Sequence, residues 1–186
     1  MSQIIDLRNY TPNKTETFFF DTNIWMYLYC PLGNYRKAVI KIYDQFLKRV
    51  IQAKATILIS SLILSEFFNA YLRLEFNILK NKNPAKYTDF KRDFRGKQEY
   101  RLLMATIVST VKSQILKLAK RVDDEFAHLN LDDLFAEIAK SDFNDCYYAV
   151  LSDQKSFSIV TDDKDFNLKK PNLRVLTANR NLLRRP

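Results

Sequence analysis

Glycine, histidine and cysteine are scarce in this sequence of 186 residues, and each shortage excludes a class of site. Two glycines cannot build the phosphate-binding loops GxxxxGK[ST] or GxGxxG. A single histidine, His128, excludes mechanisms that need a histidine pair. The two cysteines, Cys30 and Cys146, are far apart and form no CxxC motif, so neither a zinc knuckle nor a disulfide scaffold is expected.

Long apolar runs are missing as well. The most apolar stretch, residues 56–68, is interrupted by serines and a glutamate and is too short to cross a bilayer. The first residues show no signal-peptide pattern, so we expect a cytoplasmic protein with no membrane partner. The apolar fraction of 47% and the charged fraction of 27% are typical of globular proteins. With this length they predict a single domain over residues 1–186.

Positive charge is in surplus. Thirty basic residues against 21 acidic ones give a formal net charge of +9. The stretch 73–101 carries nine basic and four acidic residues, and the stretch 167–186 carries six basic and no acidic ones. Together with 13% aromatic residues, this favours a nucleic-acid partner, although a solvated surface explains the same charge.

Short apolar runs alternate with helical patterns along the chain. We predict strands at 17–20, 55–60, 155–160 and 173–176. We predict helices at 24–29, 35–53, 62–80, 97–121, 131–140 and 142–154. Strands that are apolar almost throughout are typical of a parallel sheet covered on both faces. The sequence therefore predicts a three-layer α/β/α sandwich with a mainly parallel central sheet and an enlarged helical middle segment at about 75–140.

Acidic residues cluster near the ends of the predicted strands and at the start of one helix. They are Asp21, Glu66, Asp142, Asp145, Asp162, Asp163 and Asp165. In open α/β sheets, ligands bind at the carboxyl ends of the strands. Taken singly, each of these acids is better explained as a helix or turn cap, and only their shared edge favours a functional site.

A cluster of carboxylates needs compensation. Two of them about 4 Å apart repel by about 4 kcal/mol at an effective dielectric near 20, against a domain stability of about 5–15 kcal/mol. A divalent cation offsets that repulsion, and oxygen ligands favour Mg²⁺ or Mn²⁺. Such ions promote phosphodiester hydrolysis without a histidine, a cysteine nucleophile or a glycine loop.

Four segments in order, FFFDTNIW, SSLILSEFFNAYL, SDFNDCYYAVL and SIVTDDKDF, resemble the motifs of PIN-domain ribonucleases. The resemblance covers the start to about residue 70 and then about 140 to the end. It implies an α/β/α sandwich whose acidic pocket binds Mg²⁺ or Mn²⁺ and cleaves RNA. It also implies that the catalytic and metal-binding acids are Asp21, Glu66, Asp145 and Asp163, supported by Asn23, Thr161 and Asp142.

The other residues in and around these motifs have different expected roles. Asp145 is favoured as a metal ligand over Asp142, which we expect to cap the helix or support the site, although both could face the metal. We expect Asp162 to be solvated and Asp165 to cap or pair locally. We expect His128 to lie at the surface. The two cysteines are expected to be packing residues. The aromatic residues expected in the core are Phe67, Phe68, Tyr71, Tyr147 and Tyr148. An exposed tyrosine could still stack on RNA bases.

The sequence and the resemblance together predict a divalent-metal-dependent endoribonuclease that hydrolyses RNA phosphodiester bonds. The same resemblance implies the toxin of a type II, VapBC-type toxin–antitoxin pair, with a small antitoxin protein as partner and a homodimer as the assembly. The segment 75–140 departs from compact toxins in being longer and more basic. The alternative is a non-catalytic RNA-binding or assembly scaffold. A phosphatase with Asp21 as nucleophile is disfavoured because Asn23 stands where that chemistry needs a second Asp.

Overall fold

The structure, a computed structural model, describes residues 2–138, 141–164, 166, 168 and 170–184. The strands are β1 (Gln3–Asp6), β2 (Thr17–Phe20), β3 (Thr56–Ile59), β4 (Lys120–Arg121), β5 (Ser158–Val160) and β6 (Arg174–Thr177). The helices are α1 (Thr22–Tyr29), α2 (Lys37–Gln52), α3 (Ser61–Lys82), α4 (Gln98–Thr110), α5 (Leu116–Leu118), α6 (Leu131–Glu137), α7 (Phe143–Lys155) and α8 (Arg180–Leu183). The assignments made above for Lys140 and Asp165 lie outside the described residues.

The strands form one six-stranded sheet in the order β1-β6-β5-β2-β3-β4, and every neighbouring pair is parallel. From central β2 the chain moves outward through β3 and β4, then returns to β5 on the other side of β2. This reversal of direction is the topological switch point of an open parallel sheet, where ligands characteristically bind. It lies between the carboxyl ends of β2 and β5.

Strand β2 shows the three layers. Its side chains alternate between the two faces of the sheet, as those of a strand must. Phe18 and Phe20 contact the ring of Phe46 from α2 on one face. Phe19 contacts the ring of Tyr148 from α7, 4.6 Å between centroids, on the other face. Helices therefore cover both faces, which confirms the predicted α/β/α sandwich.

Side-chain caps fix the starts of two helices that border the carboxyl edge of the sheet. Ser60, directly after β3, accepts a hydrogen bond from the backbone N–H of Ile63 at 3.3 Å and begins α3. Asp142 accepts one from the backbone N–H of Asp145 at 3.0 Å and begins α7. Each cap satisfies a donor that the first helical turn leaves unpaired, so both helices start at defined residues.

The middle segment is helical, as predicted, but not continuously. A π-helical turn at Phe90–Phe94 packs its aromatic rings against Phe76 of α3. The predicted helix at 97–121 is wrong at its end: after α4, a second π-helical turn and α5, Lys120 and Arg121 form β4 beside β3. Ile107 is buried, whereas Leu102 is 63% exposed, so only part of the apolar face packs on the body.

Among the strands and α-helices that the structure describes, β1, β4 and α8 were not predicted from the sequence, and neither were the short helical turns at Phe90–Phe94 and Phe126–His128. The two strands are the edges of the sheet, each paired with a single neighbour, and β4 consists of two exposed cationic residues. Neither edge needs the continuous apolar run that identifies a strand buried on both faces. Within the described residues, we find no helix with the length and apolarity that a membrane span requires.

Candidate active site

The acidic side chains meet in one cavity at the switch point. This acidic pocket, about 550 Å³ in volume, is lined by Asp21, Glu66, Asp142, Asp145 and Asp163. Asn23 lines it as well, and the hydroxyl of buried Thr161 lies within hydrogen-bond distance of Asp21. The four acids predicted to bind metal, far apart along the chain, therefore line one cavity together with Asp142 and Asn23, whereas Asp162 does not line it.

Asp21 directly follows β2 and begins α1. Its backbone N–H donates to the carbonyl of Val160 at 3.0 Å, which ties it to the end of β5. Its Oδ2 accepts hydrogen bonds from the Thr161 hydroxyl at 2.6 Å and from Nδ2 of Asn23 at 2.5 Å. These donors hold the carboxylate in one orientation at the carboxyl edge of the sheet.

Glu66 projects from the second turn of α3 and is held by two donors that the sequence analysis did not identify. The Thr22 hydroxyl donates to Oε2 at 2.6 Å, and Nδ2 of Asn144 donates to Oε1. Thr22 lies in α1 and Asn144 lies in α7, so this carboxylate joins three helices. Both residues stand inside the quoted motifs, beside Asp21 and Asp145, which was the only signal in the sequence.

Asp145 lies in the first turn of α7. Its Oδ2 accepts a hydrogen bond from the Ser141 hydroxyl at 2.9 Å. Asp142 caps the same helix, and its carboxylate lines the acidic pocket too. The cap is therefore observed, and the division of any metal-binding role between the two acids stays a prediction.

The loop after β5 orders the remaining acids. Asp163 donates its backbone N–H to the Thr161 hydroxyl oxygen at 3.0 Å. The prediction that Asp162 is solvated is only partly right: the residue is half-buried, and its carboxylate accepts hydrogen bonds from the hydroxyls of Tyr27 at 2.9 Å and Tyr43 at 2.8 Å. The tyrosines come from α1 and α2, more than a hundred residues away, so no local pattern could reveal this contact.

Burial dominates the electrostatics of the acidic pocket. Desolvation, followed by the charge of Asp142, raises the pKa of Asp145 to about 7. Desolvation raises the pKa of Asp21 to about 6, and the charges of Glu66 and Asp163 act in the same direction. Desolvation also raises the pKa of Glu66, while its two donors oppose the rise. Each shift reports a carboxylate whose charge is unfavourable there without a positive neighbour.

The oxygen atoms that line the acidic pocket are of the chemical type that binds a hard divalent cation. Carboxylate oxygens are the ligands that Mg²⁺ and Mn²⁺ prefer, and the raised pKa values mark a place where positive charge is stabilising. In the described ranges, no group of three or more His, Cys, Asp or Glu side chains is arranged to hold a metal ion. Mg²⁺ usually keeps several waters and binds through one or two carboxylates together with substrate phosphates. The pocket contains carboxylates that could serve as those protein ligands.

The cysteines, the histidine and the aromatic residues named above lie as follows in the structure. Cys30 and Cys146 are both buried, as expected of packing residues. His128 is exposed and lies 3.3 Å from Glu125, away from the pocket. Of the five aromatic residues expected in the core, Phe67, Tyr71, Tyr147 and Tyr148 are buried and Phe68 is partly buried.

Comparisons with known proteins identify similar structures and a matching family. The chain is similar to a chain in the crystal structure of VapBC2 from Rickettsia felis bound to a DNA fragment from their promoter, with 14% identity and a TM-score of 0.50 over 87% of this chain and 98% of that one. It is also similar to PAE2754 from Pyrobaculum aerophilum, with 17% identity and a TM-score of 0.46 over 91% and 96%. No curated protein matches the sequence. The model of the PIN domain family matches residues 18–170. The chain therefore belongs to the PIN domain family, whose members are generally nucleases.

Proposed function

We propose that this protein is a divalent-metal-dependent endoribonuclease that hydrolyses RNA phosphodiester bonds at the acidic pocket. One observation carries the proposal: in a PIN domain, acids from four separate parts of the chain line a single cavity at the switch point. They are Asp21, Glu66, Asp145 and Asp163. Asp142 adds a fifth carboxylate from the cap of α7.

The residues around the pocket divide into two roles. Carboxylates among the four acids would hold Mg²⁺ or Mn²⁺, one or two to an ion together with substrate phosphate oxygens. The ion would supply Lewis-acid polarisation of the phosphodiester and would activate an attacking water. Thr161 and Asn23 orient Asp21, while Thr22 and Asn144 orient Glu66. Such outer contacts restrict each carboxylate to one rotamer, which lowers the entropy cost of binding a cation.

A nuclease assay tests this proposal directly. The purified protein with Mn²⁺ or Mg²⁺ should cleave a labelled RNA, and chelation by EDTA should stop the reaction. Asp21→Asn should be inactive, whereas Asp44→Asn, which changes an exposed acid of α2, should cleave like the wild type. Equal cleavage by the wild type and Asp21→Asn in purified preparations would contradict the proposal.

A non-catalytic RNA-binding scaffold is the second candidate. It is favoured by the finding that no three ligating side chains in the described part of the chain are arranged to hold a metal ion. It predicts salt-sensitive RNA binding with no metal requirement and no cleavage. A titration with Mn²⁺ followed by thermal unfolding separates the candidates, because a ligand that binds only the folded state raises its stability.

We also propose that the nuclease is a toxin restrained by a small antitoxin protein. The family and the fold shared with a VapBC2 chain support this proposal. Expression of the wild type, but not of Asp21→Asn, should arrest growth of a bacterial host. A small protein encoded beside the gene should restore growth and inhibit cleavage by the purified enzyme. The predicted homodimer is tested by the mass of the purified protein in solution.

A further inference from the structure

A second and larger cavity adjoins the acidic pocket. This basic cleft, about 730 Å³ in volume, is lined by the cations Arg8, Arg36, Lys164 and Arg180. Of these four residues, only Arg180 belongs to one of the basic stretches at 73–101 and 167–186. They come from the end of β1, the start of α2, the loop after β5 and the start of α8.

The position of the basic cleft follows from the strand order. Arg8 lies two residues beyond β1 and Arg180 begins α8 just after β6, so the cleft covers the carboxyl ends of these two strands. The acidic pocket covers the ends of β2 and β5 along the same edge. Neighbouring strands are about 4.8 Å apart, so β6 and β2 are separated by about 10 Å. The two cavities share Asn23, Tyr27 and Asp163 as wall residues.

Three of the four cations are available for a ligand. Arg8 pairs with Asp6 at 2.6 Å. No ion pair involves Arg36, Lys164 or Arg180 in the part of the chain that the structure describes.

Two carboxylates also face the basic cleft. They belong to Asp162 and Asp163. That of Asp162 accepts hydrogen bonds from the hydroxyls of Tyr27 and Tyr43, so it is satisfied within the protein. The balance of charge around the cleft remains positive.

Part of the lining is apolar. Ala38, Val39 and Ile42 of α2 line the cleft, as does Tyr27 of α1. Cations together with aliphatic and aromatic surface suit a nucleotide unit, whose phosphate is anionic and whose sugar and base have apolar faces. A small inorganic anion would leave the apolar lining unused.

We propose that the basic cleft binds the phosphodiester backbone of single-stranded RNA next to the scissile bond, through Arg36, Lys164 and Arg180. This inference rests on the proposed nuclease function and adds the path of the substrate. The physical reason is electrostatic: five carboxylates line the acidic pocket, and the cation Arg73, which also lines it, offsets them only in part. Cations along the adjoining cleft therefore lower the repulsion that a polyanion meets on its way to the pocket. The shared wall lets one strand pass from the cleft into the pocket.

The test measures RNA binding separately from cleavage. In the Asp21→Asn background and in EDTA, the affinity for a labelled single-stranded RNA is measured by fluorescence anisotropy at several salt concentrations. The double variant Arg36→Gln, Arg180→Gln removes two cleft cations. The matched control Arg101→Gln, Lys112→Gln removes two exposed cations of the middle segment that line none of the cavities described above.

We expect the double variant Arg36→Gln, Arg180→Gln, the cleft pair, to bind RNA about 25-fold more weakly than its parent at about 0.1 M salt. The slope of the logarithm of the binding constant against the logarithm of the salt concentration should fall in magnitude by about 1.4, since each phosphate contact on single strands contributes about 0.7. The control pair should change little. The variant Arg36→Lys, Arg180→Lys keeps both charges and should retain the slope, which excludes misfolding as the cause. Equal losses for the cleft and control pairs, or no loss for either, would overturn the proposal.

Cleavage kinetics keep this inference separate from the proposed function. In the otherwise wild-type enzyme, the cleft pair should raise KM with kcat nearly unchanged, as expected for a contact made equally in the ground and transition states. If the wild type binds RNA through the cleft and never cleaves it, the proposed nuclease function is contradicted and the proposed RNA-binding cleft is retained. If the wild type cleaves RNA and the Arg36→Gln, Arg180→Gln variant cleaves it with the same KM and kcat, the nuclease function is retained and the RNA-binding cleft is contradicted.

Discussion

The hydroxyl of Thr161 donates a hydrogen bond to Oδ2 of Asp21 at 2.6 Å, across 140 positions of sequence. The same hydroxyl oxygen lies 3.0 Å from Nδ2 of Asn23 and 3.0 Å from the backbone nitrogen of Asp163. One buried side chain at the end of β5 therefore connects three residues of the acidic pocket. The end of the strand and the geometry of the pocket depend on each other.

Replacing that hydroxyl should damage both stability and activity. Thr161→Val keeps the shape of the side chain but leaves buried polar partners unsatisfied, which costs about 1–3 kcal/mol of the free energy of unfolding. Loss of an orienting contact should lower the cleavage rate about 10–100-fold. Urea denaturation and initial rates measure the two effects. Thr161→Ser retains the hydroxyl and serves as the control; a Val variant that matches it in both assays would refute this role.

Tyr43 should prove a structural anchor for the loop after β5. Its hydroxyl lies 2.8 Å from Oδ1 of Asp162, 3.2 Å from the carbonyl of Thr161 and 3.0 Å from the nitrogen of Ala178. Tyr43→Phe should lower the free energy of unfolding by about 1–3 kcal/mol. For a chain of this size, that is a fall in Tm of about 2–4 °C per kcal/mol.

Tyr29→Phe is the matched control for this change, because the Tyr29 hydroxyl makes none of those contacts. Its effect should stay within about 0.5 kcal/mol. Thermal and urea unfolding of the two variants give the comparison. Equal effects would mean that the contacts of the Tyr43 hydroxyl contribute no net stability.

Divalent cations should stabilise the folded protein through the acidic pocket. At about one hundred times its dissociation constant, Mn²⁺ should add about 2.7 kcal/mol to the free energy of unfolding. That corresponds to a rise in Tm of about 5–10 °C, reversible by EDTA. Asp21→Asn should lose most of the rise and Asp44→Asn none of it. A wild type whose Tm ignores Mn²⁺ would favour the scaffold.

The metal-free protein should lose stability as the pH rises from about 4 to about 7. Burial raises the pKa of Asp145 in the folded state to about 7 from an ordinary value of 3.8. Between those values the folded state binds more protons than the unfolded state, so the free energy of unfolding falls with increasing pH.

Asp145→Asn removes this ionisation and should flatten the fall. The variant should be more stable than the wild type at pH 8 in EDTA, by a few kcal/mol at most, since one pKa unit corresponds to about 1.4 kcal/mol. Urea denaturation across the pH range measures the slope. An identical pH profile for wild type and variant would show that Asp145 does not titrate in this window.

The central strands and most helices could be predicted because their causes are local. Phe18, Phe19 and Phe20 form an apolar run that only a strand buried on both faces satisfies, and the structure places it at the centre of the sheet. The cap at Asp142 could also be predicted locally, because a short polar side chain just before a helical pattern accepts hydrogen bonds from the free backbone N–H groups of the first turn. The edge strands carry no such signal.

For the acidic pocket, sequence could name the acids but not their surroundings. Asp21 stood out as an acid at the end of an apolar strand, and the parallel sheet implied which edge it would share with Asp163. Thr22 and Asn144 carried no signal of their own, because a donor to Glu66 is defined only once α1, α3 and α7 pack together. The two tyrosines on Asp162 were hidden for the same reason.

The amino-acid sequence by itself determined the layered α/β architecture, the family and the identity of the clustered acids, because strand burial, helix periodicity and strand-end chemistry are properties of short segments. Tertiary structure alone decided which donors hold each carboxylate and which cations stand beside the pocket. Arg8, Arg36 and Arg180 are distant in sequence and become neighbours only when the order of the strands places β6 beside β5 and β1 beside β6. Contacts between distant segments depend on the path of the chain through space, which no local pattern encodes.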